Sequence, residues 1–203
     1  MLLIINDCAV MNTRSIAIII TFTALCIVLI PLRIPTIYWP GFYYYWWEIP
    51  IIAAFLLFGF KVALSISVLN TLARMVIGVS PNPLLLPIIS FTPLLTMLFG
   101  VYLANKLIAS RVSKGKPISE AKKVVYVVAL GVAVRAAIMP FIDYAYYYTL
   151  FPFFLGRTFS EAYIIALMPG IVLFNILVPL YGVSIGYLIA KVINKSLKIG
   201  PEL

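Results

Sequence analysis

The chain contains no histidine, and that one omission closes off much chemistry. Most zinc sites, the Ser–His and Cys–His nucleophile pairs and the commonest general base all need an imidazole. Charge is also scarce. Only 10% of the 203 residues are charged, whereas a soluble globular domain carries about a quarter. Of the two cysteines, Cys8 precedes the first hydrophobic stretch and Cys26 lies inside it, 18 positions on. That spacing fits no metal-ligand motif and indicates no disulfide. Walker A and GxGxxG loops are missing too, so any ATP chemistry would sit on other chains.

What fills the chain instead is apolar. Hydrophobic residues make up 64% of it, in stretches that recur along its whole length and are long enough to cross a bilayer. The expected fold is an all-α polytopic membrane protein with six transmembrane helices. The expected spans are Ser15–Leu32, Glu48–Phe60, Val62–Val79, Leu84–Ile108, Val124–Leu150 and Tyr163–Ile193. They form one membrane domain over 15–193, with an N-terminal tail 1–14, a basic loop 109–123 and a C-terminal tail 194–203. The first stretch, flanked by Arg14 and without a small-residue cleavage site, reads as a retained span. The second is short. Its 13 or so residues reach roughly 20 Å against a hydrocarbon core of roughly 30 Å. It must therefore tilt little, extend into the residues before it, or form a bent hairpin with the third through GFK (59–61).

The basic residues orient this layout. With both termini cytoplasmic, Arg14, Lys61, the cluster from Lys106 to Lys123 and the tail lysines Lys191, Lys195 and Lys198 all lie inside. Arg33 and Arg157 alone lie outside. That asymmetry follows the positive-inside rule for a multi-pass cell-membrane protein. The net charge of +9 therefore orients the chain in its bilayer and calls for no nucleic-acid partner.

Two aromatic runs fall on the outer face in this topology: GFYYYWWEIP (41–50) and DYAYYYTLFPFF (143–154). Two readings stay open for them. One is an interfacial aromatic belt; the other is a wall or lid over a flat ligand, with Tyr45, Trp46, Trp47 and Glu48 contributing. Polar groups inside spans are costly and default to functional candidates. Asn70 and Arg74 share one face of the third span, Arg135 lies near the middle of the fifth, Asp143 near its outer end, and Asn175 follows MPG (168–170) in the sixth. Either the two arginines neutralise Glu48 and Asp143 and hold the bundle together, or some of these groups face a cavity and bind a polar solute. Ala17, Thr21 and Ala24 form a small-residue face on the first span, suited to a partner helix. Gly182 and Gly186 form a GxxxG pair, which packing within the chain explains as well as self-association does.

Several stretches resemble a known family. TALCIVLIPLRIP (23–35), EIPIIAAFLLFGFKVALSISVLNTLARMV (48–76) and MPGIVLFNILVPL (168–180) are similar to the first helix and loop, the acidic-Ile-Pro helical hairpin and the last-helix Pro-x-Asn region of energy-coupling factor (ECF) transporter S components. The riboflavin-type branch looks most similar. The resemblance implies a non-enzymatic subunit, without a cofactor, that captures a vitamin from outside and passes it to a transmembrane coupling subunit driven by two ATPases. By position, Ala17, Thr21 and Ala24 would dock onto the coupling subunit, Glu48 and the aromatics before it would form the lid, and Asp143 and Asn175 would line the pocket. The chain departs from the pattern at Thr21, where the family prefers alanine. It departs again at Asp143, where the branch carries asparagine, and at Val178, where it often carries lysine. A carboxylate only accepts hydrogen bonds and a valine offers none, so the substrate can differ from riboflavin. The competing classes are an envelope structural or assembly protein and a lipid-modifying membrane enzyme.

Overall fold

The computed structural model describes residues 12–36, 43–78, 82–115, 118–156 and 158–197. Cys8, Phe42, Pro81, Lys116, Arg157 and Lys198 lie outside the described residues. The helices are α1 (Thr13–Leu29), α2 (Glu48–Phe58), α3 (Phe60–Ile77), α4 (Leu85–Ser113), α5 (Glu120–Ala145), α6 (Phe151–Leu155) and α7 (Glu161–Leu197). Among the described residues four segments, Phe60–Ile77, Leu85–Ser113, Glu120–Leu155 and Glu161–Ser196, are long and apolar enough to cross a membrane, and α1 and α2 are shorter apolar helices.

The element that organises the bundle is the shortest of the expected spans. α2 packs against α1, α3, α7 and, more lightly, α4, and nine of its 11 residues are buried. A helix that is apolar all round belongs inside protein, and α2 fills the centre of the bundle. Enclosure by neighbouring helices removes the need for α2 to match the full bilayer thickness. Its link to α3 is the single residue Gly59, at φ 88° and ψ 177°. That region is open to glycine and closed to residues with a Cβ. The bent-hairpin alternative is thus the observed one.

Around α2 the order of contacts runs α1–α3–α4–α5–α7 and returns to α2. The closest approaches use glycine. A Cβ on Gly100 of α4 would run into the Leu130 carbonyl oxygen and lie 2.9 Å from the Gly131 Cα on α5. A Cβ on Gly186 of α7 would lie 2.8 Å from Ile52 of α2. Gly182, the other half of the GxxxG pair, also faces Ile52, so that motif serves packing within the chain. At the far end of the bundle, Glu120 pairs with Lys123 at 2.6 Å and Lys191 at 3.7 Å, tying α5 to α7.

Three features depart from the expectation. Before α2, β1 (Arg33–Pro35) and β2 (Tyr43–Tyr45) pair as an antiparallel hairpin with Ile34 opposite Tyr44. The all-α description therefore needs this one small sheet. α4 runs on to Ser113, so most of the polar stretch 109–123 is helical and the connection to Glu120 is short. α5 leaves regular geometry in a π-helical turn, Tyr146–Leu150, closed by the Phe151 N–H on the Tyr146 carbonyl. Pro152 follows at once. Its missing N–H removes one regular-turn hydrogen bond and its ring crowds the carbonyl four residues back, and the wider turn accommodates both. Pro93, Pro140, Pro169 and Pro179 all stay within continuous helix.

Candidate functional site

The hairpin and the first residues of α2 bring an acid into the bundle. Glu48 opens α2, where the positive end of the helix dipole favours a carboxylate, and it is 5% exposed. Its Oε2 lies 2.9 Å from Nη1 of Arg135, which reaches across from α5 and is 1% exposed. Arg135 Nε donates to Asn175 Oδ1 on α7 at 3.0 Å. Asn175 Nδ2 in turn donates to Asp143 Oδ2 at 3.1 Å and to its own helix at Ile171 O at 3.0 Å. One guanidinium thus serves two carboxylates, Glu48 directly and Asp143 through an amide. The chain of bonds joins the first residue of α2 to α5 and α7. The arrangement meets the requirement that a buried charge be paired and hydrogen-bonded.

Arg74 behaves differently. It is 3% exposed, in the last turn of α3, and its guanidinium carbon sits 4.6 Å over the Trp47 ring. Nη2 donates to Ser90 Oγ of α4 at 3.4 Å, while that hydroxyl donates to Leu86 O. Among the described residues Arg74 has no ion-pair partner. Asn70, one turn earlier on α3, is fully buried.

The aromatic residues of β2 join α7 to this end of the bundle. Tyr44 stacks on Phe174 at 5.8 Å and meets Tyr181 edge-on at 5.9 Å. Trp46 lies 5.7 Å from Tyr181, whose hydroxyl donates to the Tyr45 carbonyl. Arg33 caps Tyr43 at 4.6 Å. The second run forms its own stack: Tyr147 on Phe151 at 4.8 Å, and Phe159 on Tyr163 at 5.6 Å. Tyr146 bonds Thr92 of α4 at 2.7 Å.

Most of the residues singled out from sequence meet here. Glu48, Asp143 and Asn175 share the Arg135 network, while Arg74 lies over Trp47 and Asn70 sits one turn before Arg74 on α3. Tyr45 and Trp46 line the hairpin side. The expectation that two arginines neutralise two acids holds for Arg135 and fails for Arg74, because Glu48 is already engaged on the α5 side. Trp47 is buried. At 1% exposed it belongs to the core cluster with Ile51, Phe55 and Met97. Trp46 is half-buried. Sequence reasoning missed Ser90, Thr92, Phe174 and Tyr181. Phe174 and Tyr181 are seven positions apart, two turns on one face of α7, a spacing that was available as a signal.

Ala17, Thr21 and Ala24 are all exposed on α1, opposite the buried Ile19, Thr23 and Cys26. Thr21 donates its hydroxyl to Ala17 O at 2.8 Å, which leaves the face smooth and apolar. Beside α1 an apolar groove of about 690 Å³ is lined by Leu25, Leu29, Trp46, Ile49, Ile185 and Ile189 among others. Among the described residues its sole charged lining residue is Arg33, and they offer few of the polar groups that a solute site uses to fix orientation. The polar cluster around Glu48, Arg74 and Asn175 is the stronger candidate.

No family model matches the sequence, and no curated protein sequence matches it. The architecture does have a match among solved structures. The structure described as "Structure and mechanism of the S component of a bacterial ECF transporter" superposes with a TM-score of 0.71. The alignment covers 91% of this chain and 98% of that one, at 16% sequence identity. The chain has the fold of an ECF S component. At that identity the likeness establishes architecture, including a multi-pass membrane bundle, and the S-component fold supplies the frame in which the polar cluster is read.

Proposed function

We propose that this chain is the substrate-binding S component of an ECF-type importer in the cell membrane. It captures a vitamin-sized solute from outside and delivers it through a coupling subunit driven by two ATPases, carrying out no catalysis itself. The observation that carries this reading is the pairing of an S-component fold with a buried polar cluster at the hairpin end of the bundle. In this reading the chain crosses the membrane six times with both termini cytoplasmic, and α2 with its hairpin makes one crossing. The hairpin then descends from the outer face, which sets Glu48 at the depth of Arg135. Non-helical backbone at such depth is tolerated where protein encloses it or where it lines a cavity.

Solute would enter between the hairpin and the aromatic stack of α5 to α7. Tyr45, Trp46 and Tyr181 offer flat surfaces, and Asn70, Arg74, Asp143 and Asn175 the polar contacts. The exposed Ala17, Thr21 and Ala24 would meet the coupling subunit, since small residues let helix backbones approach closely. Local resemblance makes riboflavin the first candidate. Against it, both ends of the Asn175 amide are engaged by Arg135 and Asp143, and Val178 offers no hydrogen bond.

The test is to purify the protein in detergent, denature it, and identify the released small molecule by absorbance and mass spectrometry. A stoichiometric vitamin or vitamin precursor is the expected result, and a flavin spectrum would identify riboflavin. A ligand-free protein that binds no member of a vitamin panel would refute substrate capture and favour a packing role.

A further inference from the structure

Among the described residues six buried side-chain polar atoms have no hydrogen-bond partner, and five of them belong to one cluster: Trp47 Nε1, Asn70 Oδ1 and Nδ2, and Arg74 Nε and Nη1. Buried polar atoms almost always find partners, because otherwise they lose their bonds to water and gain nothing back. Their concentration on three adjacent side chains is therefore informative. Asn70 and Arg74 lie one turn apart on α3, and Arg74 rests on the Trp47 ring at 4.6 Å. All three residues are at most 3% exposed.

The chemistry of the cluster is one-sided. Its free groups are N–H donors on all three side chains, with a single acceptor oxygen, Asn70 Oδ1. It also carries one positive charge without a neutralising acid. Glu48 is bound to Arg135 at 2.9 Å. Across the site the balance is reversed, with Glu48 and Asp143 sharing Arg135. A negative group would be drawn to the α3 side and repelled from the α5–α7 side.

We infer that Asn70, Arg74 and Trp47 form a subsite for a carboxylate, so the captured solute is a small organic acid. A planar carboxylate matches the guanidinium edge and accepts from several N–H groups at once. One unpaired guanidinium balances a single negative charge; a phosphate dianion would bring a second charge with no partner here. The inference rests on the substrate-capture reading and narrows its substrate class away from riboflavin, which has no carboxylate.

The experiment is equilibrium binding to the purified full chain in detergent, with matched probes: nicotinate and nicotinamide, biotin and biotin amide, pantothenate and pantothenol, and riboflavin and thiamine for comparison. A carboxylate probe is expected to bind, its neutral partner about tenfold or more weaker, as loss of a charge-assisted hydrogen bond implies. Arg74→Gln should weaken the acid by a similar factor and its neutral partner by much less, so that the preference for the acid is lost. Asn70→Asp supplies a second check that does not depend on removing the arginine. It sets a carboxylate beside Arg74, so it should raise the unfolding temperature and abolish binding of the acid. Riboflavin or thiamine binding unaffected by Arg74→Gln would overturn the carboxylate subsite while leaving substrate capture intact. A folded protein that binds no probe of either class would overturn both.

Discussion

Replacing Arg135 with methionine removes the cation that Glu48 and Asp143 share while nearly preserving the volume of the side chain. Glu48 then stands 5% exposed with its partner at 2.9 Å gone, and Asn175 loses the donor on its Oδ1. Removing one member of a buried pair costs about 3–5 kcal/mol, because a charge is left without compensation. For a chain of 203 residues that corresponds to a fall of roughly 6–20 °C in unfolding temperature, at about 2–4 °C per kcal/mol. The companion variant Arg135→Met/Glu48→Met removes both members of the direct pair and should recover part of the loss, since an apolar replacement of a buried pair is often neutral, while Asp143 stays without the shared cation. The assay is thermal unfolding in detergent, followed by tryptophan fluorescence, completed as a double-mutant cycle. If the single variant unfolds within a degree or two of wild type, or the double variant unfolds well below the single one, the network does not hold α2, α5 and α7 together.

Four further outcomes are expected. Gly59→Ala meets no neighbour within 4 Å, so its cost, about 1–3 kcal/mol from a glycine-only backbone conformation, should appear purely as a lower unfolding temperature; an unchanged midpoint would mean that the α2–α3 hinge relaxes freely. Gly100→Ala drives a Cβ into the α5 backbone and should destabilise by about 1–3 kcal/mol through overpacking, whereas Gly182→Ala, whose Cβ would meet Ile52 at an ordinary 3.5 Å, should cost little; equal losses at the two sites would refute close helix contact as the cause. Trp46→Ala should weaken solute binding with little effect on stability, while Trp47→Ala should cost about 3–5 kcal/mol as a core truncation; matched thermal shifts for the two would contradict their different burial. Thr21→Trp should leave solute binding intact and abolish uptake by the assembled transporter, and loss of binding would remove the docking role from the α1 face.

Much of the site was legible as residue identities. An arginine, an asparagine or a carboxylate inside an apolar helix is costly wherever the helix goes, so Arg74, Arg135, Asp143 and Asn175 stand out without coordinates. Asn70 and Arg74 could even be placed on one face, because i and i+4 are neighbours on any helix. Which acid each arginine meets was not legible. Arg135 and Glu48 are 87 positions apart, and no periodicity within either helix determines that contact.

The apolar composition, the scarcity of charge and the length of the runs determined by themselves that this chain folds as membrane helices, since lipid requires each backbone to satisfy its own hydrogen bonds. The resemblance at EIP and LFN pointed to the right architecture for the same reason: those residues build the entrance to α2 and the polar centre of α7. The tertiary structure alone decided that α2 is the buried axis, that Trp47 is core and Trp46 rim, and that Arg135 takes both acids and leaves Arg74 unpaired. Each of these depends on which helices surround α2, and that follows from where Gly59, Gly100 and Gly186 let backbones come together. Local sequence sets the faces of a helix; the partner each face meets is set by the packing of the whole bundle.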